Sequence, residues 1–246
     1  MSLRYHEISE AEHRILNPFT DDKLRLLGQV CRLKEGQRLL DLCCGKGEML
    51  CTWSRDHGIS GVGVDISEVF LAAAHQRARE LGVEERVRLV HADASVYRDD
   101  GAPYDLVSCI GATWIGGGLA GTIDLIRPQV REEGLVLIGE PYWIEKPTPE
   151  AEDALGHGFT TLIGTLDRFA EREVELVEMV LANQDSWDRY VAAQWWTVTQ
   201  WLHDNPDDPI HAEMREFRDK SRRKHLEYGR QQFGWGVFVL RLNERS

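Results

Sequence analysis

The chain has 246 residues, of which 42% are hydrophobic and 28% charged, and it carries a formal net charge of −12. A chain of this length and composition folds as a globular protein with a large buried core, which excludes intrinsic disorder and a coiled coil. The acidic excess disfavours nucleic acid and anionic membranes as partners, because the mean field of the protein repels phosphate groups.

The first 36 residues predict an N-terminal helical cap. Ser9 and Glu12 have the spacing of a capping box, which predicts a helix that begins at Ser9 and ends before Pro18. Thr20 predicts the start of a second helix, which turns Leu24 towards the protein interior. Two short helices are therefore expected before the first strand.

From Gln37 onwards, short apolar runs alternate with helical patterns, an arrangement typical of parallel β–α–β units. Strands are predicted at 37–42, 60–65, 87–92, 104–110, 134–139, 174–181 and 234–242. The expected fold class is α/β, with a Rossmann-like, doubly wound and mostly parallel seven-stranded sheet.

Helices are predicted between and after these strands. Ser67 and Gly82 mark the two ends of one helix, Gly58 stops another, and Pro128 ends or kinks a third. Thr148 followed by proline starts a further helix. The predicted helical ranges are 47–57, 68–81, 119–131, a segment from 148, 160–171, 186–203 and 208–231.

The last two helices form an insertion before the final strand. Such an insertion is expected to lie over the carboxyl edge of the sheet, where open α/β folds bind ligands. No linker rich in proline, glycine or serine sets it apart. We therefore predict a single domain overall, with the cap at 1–36 and an α/β domain at 37–246 that carries a lid insertion at about 183–232.

The most informative segment is an apolar strand that ends in Asp41 and turns through Cys43-Cys44-Gly45-Lys46-Gly47 into a helix. Small side chains let a ligand approach the backbone, and the helix start directs N–H groups towards it. Asp65 ends the next strand 20 residues after Gly45, where a carboxylate can accept hydrogen bonds from ribose hydroxyls. The pair favours a nucleoside-containing cofactor over a plain βα turn.

In these residues the chain resembles the class I S-adenosylmethionine-dependent methyltransferases, over about 37–140. Their acid-x-Gly-x-Gly-x-Gly turn is matched by Asp41, Gly45 and Gly47, with Cys43 in the place of the first glycine. The segments at 139–143 and 187–190 resemble boxes of an uncharacterised bacterial subfamily of small-molecule methyltransferases.

The resemblance implies S-adenosyl-L-methionine as the cofactor and a role for particular residues in binding it. Asp41 and the turn would meet the methionine end, Asp65 the ribose, Asp93 the adenine amino group and the Ala94 N–H the adenine ring. Asp93 also reads as the N-cap of a short helix. The residues implied to contact the cofactor are Asp41, Cys43, Gly45, Gly47, Asp65, Ile66, Asp93, Ala94 and Cys109.

Methyl transfer depends mainly on how the protein positions the acceptor and the methyl donor, because a sulfonium methyl group is already an electrophile that is attacked in line. A general base is needed only where the nucleophile arrives protonated. Glu140, at the end of the fifth strand, is the candidate base, and Tyr142 is a candidate for orienting the acceptor. The alternative role for Glu140 is to cap a neighbouring backbone group.

Aromatic residues cluster in segments expected at the carboxyl edge or in the lid, and they predict a pocket for a small organic molecule or a cation. Trp196 lies half a helical turn away from the apolar stripe of its helix, whose other aromatic residues core packing also explains. The candidate pocket residues are Trp114, Tyr142, Trp143, Trp187, Tyr190 and Trp196.

Two other functions compete with methyl transfer to a small molecule. A strand, a glycine turn and an acid 20 residues later also describe an NAD(P)-dependent oxidoreductase, although G-x-G-x-x-G is absent and Asp41 would crowd a pyrophosphate. A non-catalytic S-adenosylmethionine-binding protein is the other alternative, because this chemistry has no obligatory catalytic side chain. An Asn/Asp-Pro-Pro-Tyr/Phe box of relatives that methylate amino groups in nucleic acids is also absent.

Cysteine and histidine usage completes the sequence-based expectations. The five cysteines include no C-x-x-C pair, and the N-terminus has no targeting signal, so we expect a cytoplasmic protein without a membrane partner. No metal-ligand spacing is present, and no metal is expected. The oligomeric state and the methyl acceptor are left open.

Overall fold

A computed structural model describes residues 2–243 of the chain, so Met1 and residues 244–246, at the outer ends of the predicted cap and domain, lie outside it. The predicted fold class is confirmed by a seven-stranded sheet with helices on both faces. Its strands are β1 (Arg38–Leu42), β2 (Ser60–Asp65), β3 (Val87–His91), β4 (Tyr104–Ile110), β5 (Val130–Trp143), β6 (Val174–Leu181) and β7 (Phe233–Leu242).

The sheet order is β3-β2-β1-β4-β5-β7-β6. Strands β1 to β5 pair in parallel, and β7 runs antiparallel to both of its neighbours, β5 and β6. The order reverses at β1, so the connections that follow β1 and β4 leave towards opposite faces of the sheet and form the crevice where open α/β sheets bind ligands.

Nine helices of seven or more residues are present in the described part of the chain. They are α1 (Leu3–Ser9), α2 (Asp21–Val30), α3 (Glu48–His57), α4 (Glu68–Leu81), α5 (Leu119–Ile126), α6 (Pro149–Leu155), α7 (Leu162–Glu171), α8 (Gln184–Asp204) and α9 (His211–Lys224). None of them is long and apolar enough to cross a membrane.

Both faces of the sheet are buried, which explains the nearly continuous apolar character of the central strands. Leu39, on β1, packs in the cluster formed with α2, α3 and α4, whereas its neighbour Leu40 packs in the cluster with α5 and α7. Leu137 and Ile138 of β5 divide between the same two clusters. Alternate side chains of each strand therefore enter opposite core layers.

Helix ends follow local sequence signals. The side chains of Thr20 and Ser67 accept hydrogen bonds from the third backbone N–H beyond them, at 3.3 and 3.1 Å. Gly58 and Gly82 end α3 and α4 in the left-handed conformation. Thr148 caps α6 in the same way as Thr20 and Ser67 cap their helices. These predicted boundaries are confirmed.

The predicted helix starting at Ser9 is wrong, because Ser9 ends a helix instead of beginning one. Helix α1 spans Leu3–Ser9, and the Ser9 hydroxyl donates to the carbonyl oxygen of His6 at 3.1 Å. The chain from Glu10 to Asn17 forms no regular helix. Tertiary contacts of Glu10, described below, replace the capping box that the spacing predicted.

Three later boundaries also differ from prediction. Pro128 ends the third predicted helix as expected, but α5 stops at Ile126 and a 3₁₀ turn follows. The last predicted helix is α9 followed by a π-helical turn at His225–Gly229 and a short turn at Arg230–Gln232. Strand β5 continues past the predicted end to Trp143, because its last residues pair with β7.

Candidate functional site

The turn between β1 and α3 depends on left-handed backbone at alternate residues. Cys43, Gly45 and Gly47 have φ angles of 59°, 54° and 68°. Cys43, which stands where the resembled family has a glycine, therefore keeps the conformation that glycine adopts most readily. At Gly47 a Cβ atom would lie 3.0 Å from that of Ala74, so a larger residue would press the turn against α4.

Asp65 ties the end of β2 to this glycine turn. Its two carboxylate oxygens accept hydrogen bonds from the backbone N–H groups of Gly45 and Ser67, both at 2.8 Å. The side chain is buried. An ionised carboxylate offers about four acceptor sites, so two remain for hydroxyl donors of a ligand.

Asp41 is a second buried carboxyl beneath the turn. The hydroxyl of Ser108, its register partner on β4, donates to it at 2.6 Å. Burial raises the pKa of Asp41 to about 7, and the nearby charge of Asp65 acts in the same direction, while the Ser108 hydrogen bond opposes them. The carboxyl therefore changes its charge near neutral pH.

The remaining predicted cofactor residues lie at the ends of neighbouring strands, as the sheet order requires. Ile66 follows β2 and is exposed, whereas Cys109 is buried in β4. Asp93 follows β3, and one of its oxygens accepts from the backbone N–H and the hydroxyl of Ser95, at 2.9 and 2.7 Å. These bonds lower the pKa of Asp93. Ala94 is buried beside it.

Glu140 is the first residue of β5 beyond its pairing with β4, whose last partners are Ile110 and Gly139. Its side chain is only 4% exposed. Burial raises its pKa to about 7, against the opposing effects of a hydrogen bond with Thr113 and the charge of Arg168. A carboxyl with this pKa accepts a proton readily at neutral pH, as a general base must.

Tyr142 lies two residues further along β5 and belongs to the apolar cluster that includes Phe169. Burial raises the pKa of its hydroxyl. Its ring lies over the backbone of β7, because a Cβ atom placed on Gly234 would be 2.3 Å from the ring carbon Cζ. This close approach requires glycine at position 234.

Two of the other predicted pocket aromatics, Trp143 and Trp187, pack in one cluster around Phe233. Trp143 is fully buried against Phe233, with ring centroids 4.4 Å apart. The indole of Trp187 donates to Nδ1 of His225 at 3.1 Å. The side chains that remain exposed are Trp114, at 69%, and Trp196, at 66%.

Four residues missed by the sequence analysis, together with Tyr190, connect the N-terminal segment with the glycine turn and with helix α8. Lys46, inside the turn, donates from Nζ to the carbonyl oxygens of Glu10, Ala11 and His13 at 2.8, 2.7 and 2.6 Å. The Glu10 carboxylate accepts from the Tyr190 hydroxyl of α8 and from Nε2 of Gln194. We call Glu10, His13, Lys46, Tyr190 and Gln194 the cap–lid junction.

Sequence offered almost no signal for this junction. Glu10 and Tyr190 are 180 positions apart, and no periodicity relates them. The position of Lys46 between two glycines was the available indication, since its side chain leaves a turn that ligands approach. Burial of Lys46 lowers its pKa.

Comparison with known proteins identifies relatives of this chain. A family model described as a methyltransferase domain matches residues 39–126. The chain is 49% identical over 242 residues to the uncharacterized protein YjhP of Escherichia coli (strain K12), a match that covers 96% of this chain and 97% of that protein.

A solved structure is similar over nearly the whole chain. It is the crystal structure of an S-adenosylmethionine-dependent methyltransferase from Geobacter sulfurreducens in complex with S-adenosyl-L-homocysteine, with a TM-score of 0.93, 47% identity and coverage of 98% of this chain and 99% of that chain. The 27-O-demethylrifamycin SV methyltransferase of Amycolatopsis mediterranei (strain S699) is 30% identical over 103 residues, or 42% of this chain and 38% of that protein.

Proposed function

The chain belongs to the class I S-adenosylmethionine-dependent methyltransferases, and we propose that it methylates a small organic molecule. The observation that carries the acceptor class is the enclosure of Glu140, a carboxyl 4% exposed where β5 leaves β4. A carboxyl buried in this way favours an acceptor small enough to be enclosed by the fold. The net charge of −12 also opposes a nucleic-acid acceptor.

We propose that the cofactor lies along the carboxyl ends of β1 to β4. The left-handed turn at 43–47 admits the methionine end close to backbone N–H groups, and Asp65 retains acceptor sites for ribose hydroxyls. Asp93 and Ala94, after β3, are assigned to the adenine. The residues present therefore fit S-adenosyl-L-methionine, which when bound supplies an electrophilic methyl group.

The protein's own contribution is to place the acceptor in line and to hold a proton. Glu140 is proposed to take the proton of a nucleophile that arrives protonated. The Tyr142 hydroxyl is proposed to position the acceptor. Alignment of the reacting groups accounts for about 7–11 kcal/mol of barrier reduction in well-oriented systems, so positioning contributes most.

One partial relative supports a non-macromolecular acceptor. The Amycolatopsis protein, which matches 42% of this chain, is named a 27-O-demethylrifamycin SV methyltransferase. The exposed Trp114 and Trp196 are proposed to meet the acceptor, because exposed aromatic rings bind apolar or cationic groups. All five cysteines are free thiols, in accord with the proposed cytoplasmic location.

Calorimetry with S-adenosylhomocysteine and with NAD tests the cofactor assignment. Binding of the first with micromolar or better affinity, and no binding of NAD, is expected. Turnover is then followed as S-adenosylhomocysteine release over a panel of phenols, amines and carboxylic acids. Glu140→Gln should lower the turnover of protonated nucleophiles at pH 7 by about 10²–10⁴-fold, the usual contribution of a general base. Activity on a duplex nucleic acid alone would contradict the proposed acceptor class.

A further inference from the structure

Glu10 is the residue at which the cap, the turn and the lid meet. Its main-chain carbonyl accepts a hydrogen bond from Lys46 in the turn, and its carboxylate accepts from Tyr190 and Gln194 of α8. One residue thus contacts two parts of the fold through two different groups. Its side chain is fully buried.

The cap covers the turn as well as contacting it. Lys46 donates to two further carbonyl oxygens of the cap, those of Ala11 and His13. The side chain of Leu16 lies against Gly45, since a Cβ atom placed there would be 2.6 Å from Leu16 Cδ1. Any ligand seated in the turn is therefore beneath the segment that carries Glu10.

His13 strengthens the contact with α8. Its Nε2 lies 3.1 Å from the carbonyl oxygen of Tyr190, and its ring meets the Tyr190 ring edge-on at a centroid distance of 4.9 Å. Its Nδ1 lies 3.2 Å from Oε2 of Glu10. Since a carbonyl oxygen only accepts, Nε2 of His13 carries the hydrogen of its contact with Tyr190.

A buried carboxylate is stable only while its donors are in place, because an unpaired buried charge carries a large desolvation penalty. Opening either the cap or α8 would remove donors from Glu10 and favour opening of the other. The arrangement therefore makes closure of the two elements cooperative.

We infer that Glu10 is a positioning residue that couples the turn to helix α8, so that the cap and the lid close over the bound cofactor as one unit. This inference rests on the proposed cofactor site at the turn. The cofactor orders the turn and Lys46, Lys46 holds the main chain at Glu10, and the Glu10 carboxylate holds Tyr190 and Gln194. The lid reaches its position over the acceptor by this route.

Hydrogen–deuterium exchange of the whole chain, with and without saturating S-adenosylhomocysteine, tests the coupling. In the wild type, the ligand should slow exchange at the turn, and it should slow exchange in helix α8 (Gln184–Asp204) by about tenfold. The reason is that the cap and α8 both open less often when the ligand is bound. In Glu10→Ala and in Lys46→Met, the ligand should still slow exchange at 43–48 while exchange in α8 no longer responds.

Two further variants separate positioning from general stability. Glu10→Gln keeps a carbonyl oxygen for Tyr190 and Gln194 and should restore most of the response of α8. Tyr5→Phe removes another phenol that donates from the cap to a carboxylate of the lid, Glu213, without contacting the turn. It should leave the response intact. If Glu10→Ala does not fold, Tyr190→Phe serves as the milder variant, and a smaller response of α8 than in the wild type is expected because only Gln194 still donates to Glu10.

The outcomes distinguish this inference from the proposed function. An unchanged α8 response in folded Glu10→Ala and Lys46→Met, or equal loss in Tyr5→Phe, would overturn the coupling. A wild type that binds S-adenosylhomocysteine by calorimetry without any response in α8 would overturn the coupling while leaving the cofactor site standing. Absence of binding would remove the proposed cofactor site and the inference together.

Discussion

Asp65 at the glycine turn and Glu10 at the cap–lid junction are both buried carboxylates, and their hydrogen-bond donors are of different kinds. Asp65 accepts from backbone N–H groups, one of which belongs to Gly45, 20 residues away. Glu10 accepts from the side chains of Tyr190 and Gln194, 180 or more residues away.

The glycine turn and the cap–lid junction are therefore expected to respond differently to amino-acid substitution. Backbone donors are present whatever the side chains are, so the turn persists as long as its glycines and Asp65 are retained. Side-chain donors are lost by single substitutions. A single substitution outside the turn is therefore expected to leave the donors of Asp65 in place, whereas a single substitution at Tyr190 or Gln194 removes a donor of Glu10.

Asp65→Ala should have the largest effect of the variants considered. It leaves two buried N–H groups without acceptors, which should lower the free energy of unfolding by about 2–5 kcal/mol. It also removes the proposed hydrogen bonds to ribose, which should weaken S-adenosylhomocysteine binding by about 1–3 kcal/mol. Urea unfolding and calorimetry measure the two effects. Unchanged affinity in a folded variant would contradict the ribose assignment.

Glu140→Gln extends the comparison to a buried carboxyl for which no backbone donor is identified. Burial raises its pKa from about 4.5 to about 7. The folded protein then holds the proton more tightly than the unfolded chain, so the free energy of unfolding falls as pH rises through this window. Glutamine does not titrate, so the free energy of unfolding of the variant does not fall in this window. Relative to that of the wild type, it should rise by up to about 3 kcal/mol between pH 4 and pH 8.

Urea unfolding at several pH values measures that difference. The titration of Asp41, whose pKa is also raised to about 7, is present in both proteins and cancels in the comparison. A difference between Glu140→Gln and the wild type that does not change with pH would show that the carboxyl is not desolvated as described.

Tyr190→Phe tests the junction with a smaller change. It removes one phenol donor from the buried Glu10 carboxylate and leaves Gln194 in place, so the free energy of unfolding should fall by about 1–2 kcal/mol. Tyr5→Phe, at the exposed cap–lid contact with Glu213, is the matched control and should lose less. Equal losses in chemical denaturation would show that burial does not distinguish the two contacts.

Trp196→Ala should have the smallest effect on stability, within about 0.5 kcal/mol, because the side chain is 66% exposed. It should instead weaken the apparent affinity for whichever acceptor supports turnover. Leu26→Ala, an exposed apolar residue of α2, is the control for loss of surface contacts and should leave turnover unchanged. A lower melting temperature with unaltered acceptor affinity would assign Trp196 to packing.

Much of the sheet and the turn was predictable because their signals are local. Thr20 and Ser67 bond backbone groups three residues away, and apolar runs of five to seven residues mark the parallel strands whichever neighbours they later pair with. The left-handed φ angles at Gly45 and Gly47 likewise follow from small residues placed between a strand and a helix.

The position of β7 was not predictable by these means. Its apolar pattern marks a strand, but the pattern contains nothing about direction, and β7 inserts antiparallel between β5 and β6. That pairing extends β5 to Trp143 and buries the Trp143 ring against Phe233. A residue expected in a ligand pocket is thereby packed in an apolar cluster, and its assignment to the pocket stays a prediction.

Local sequence was therefore sufficient for the strands, most helix ends and the glycine turn, since each depends on backbone geometry within a few residues. Only the folded chain decides that Ser9 ends a helix and that Glu10 meets Tyr190. The energy of a buried carboxylate depends on donors from every element around it, and those donors are brought together by the path of the whole chain.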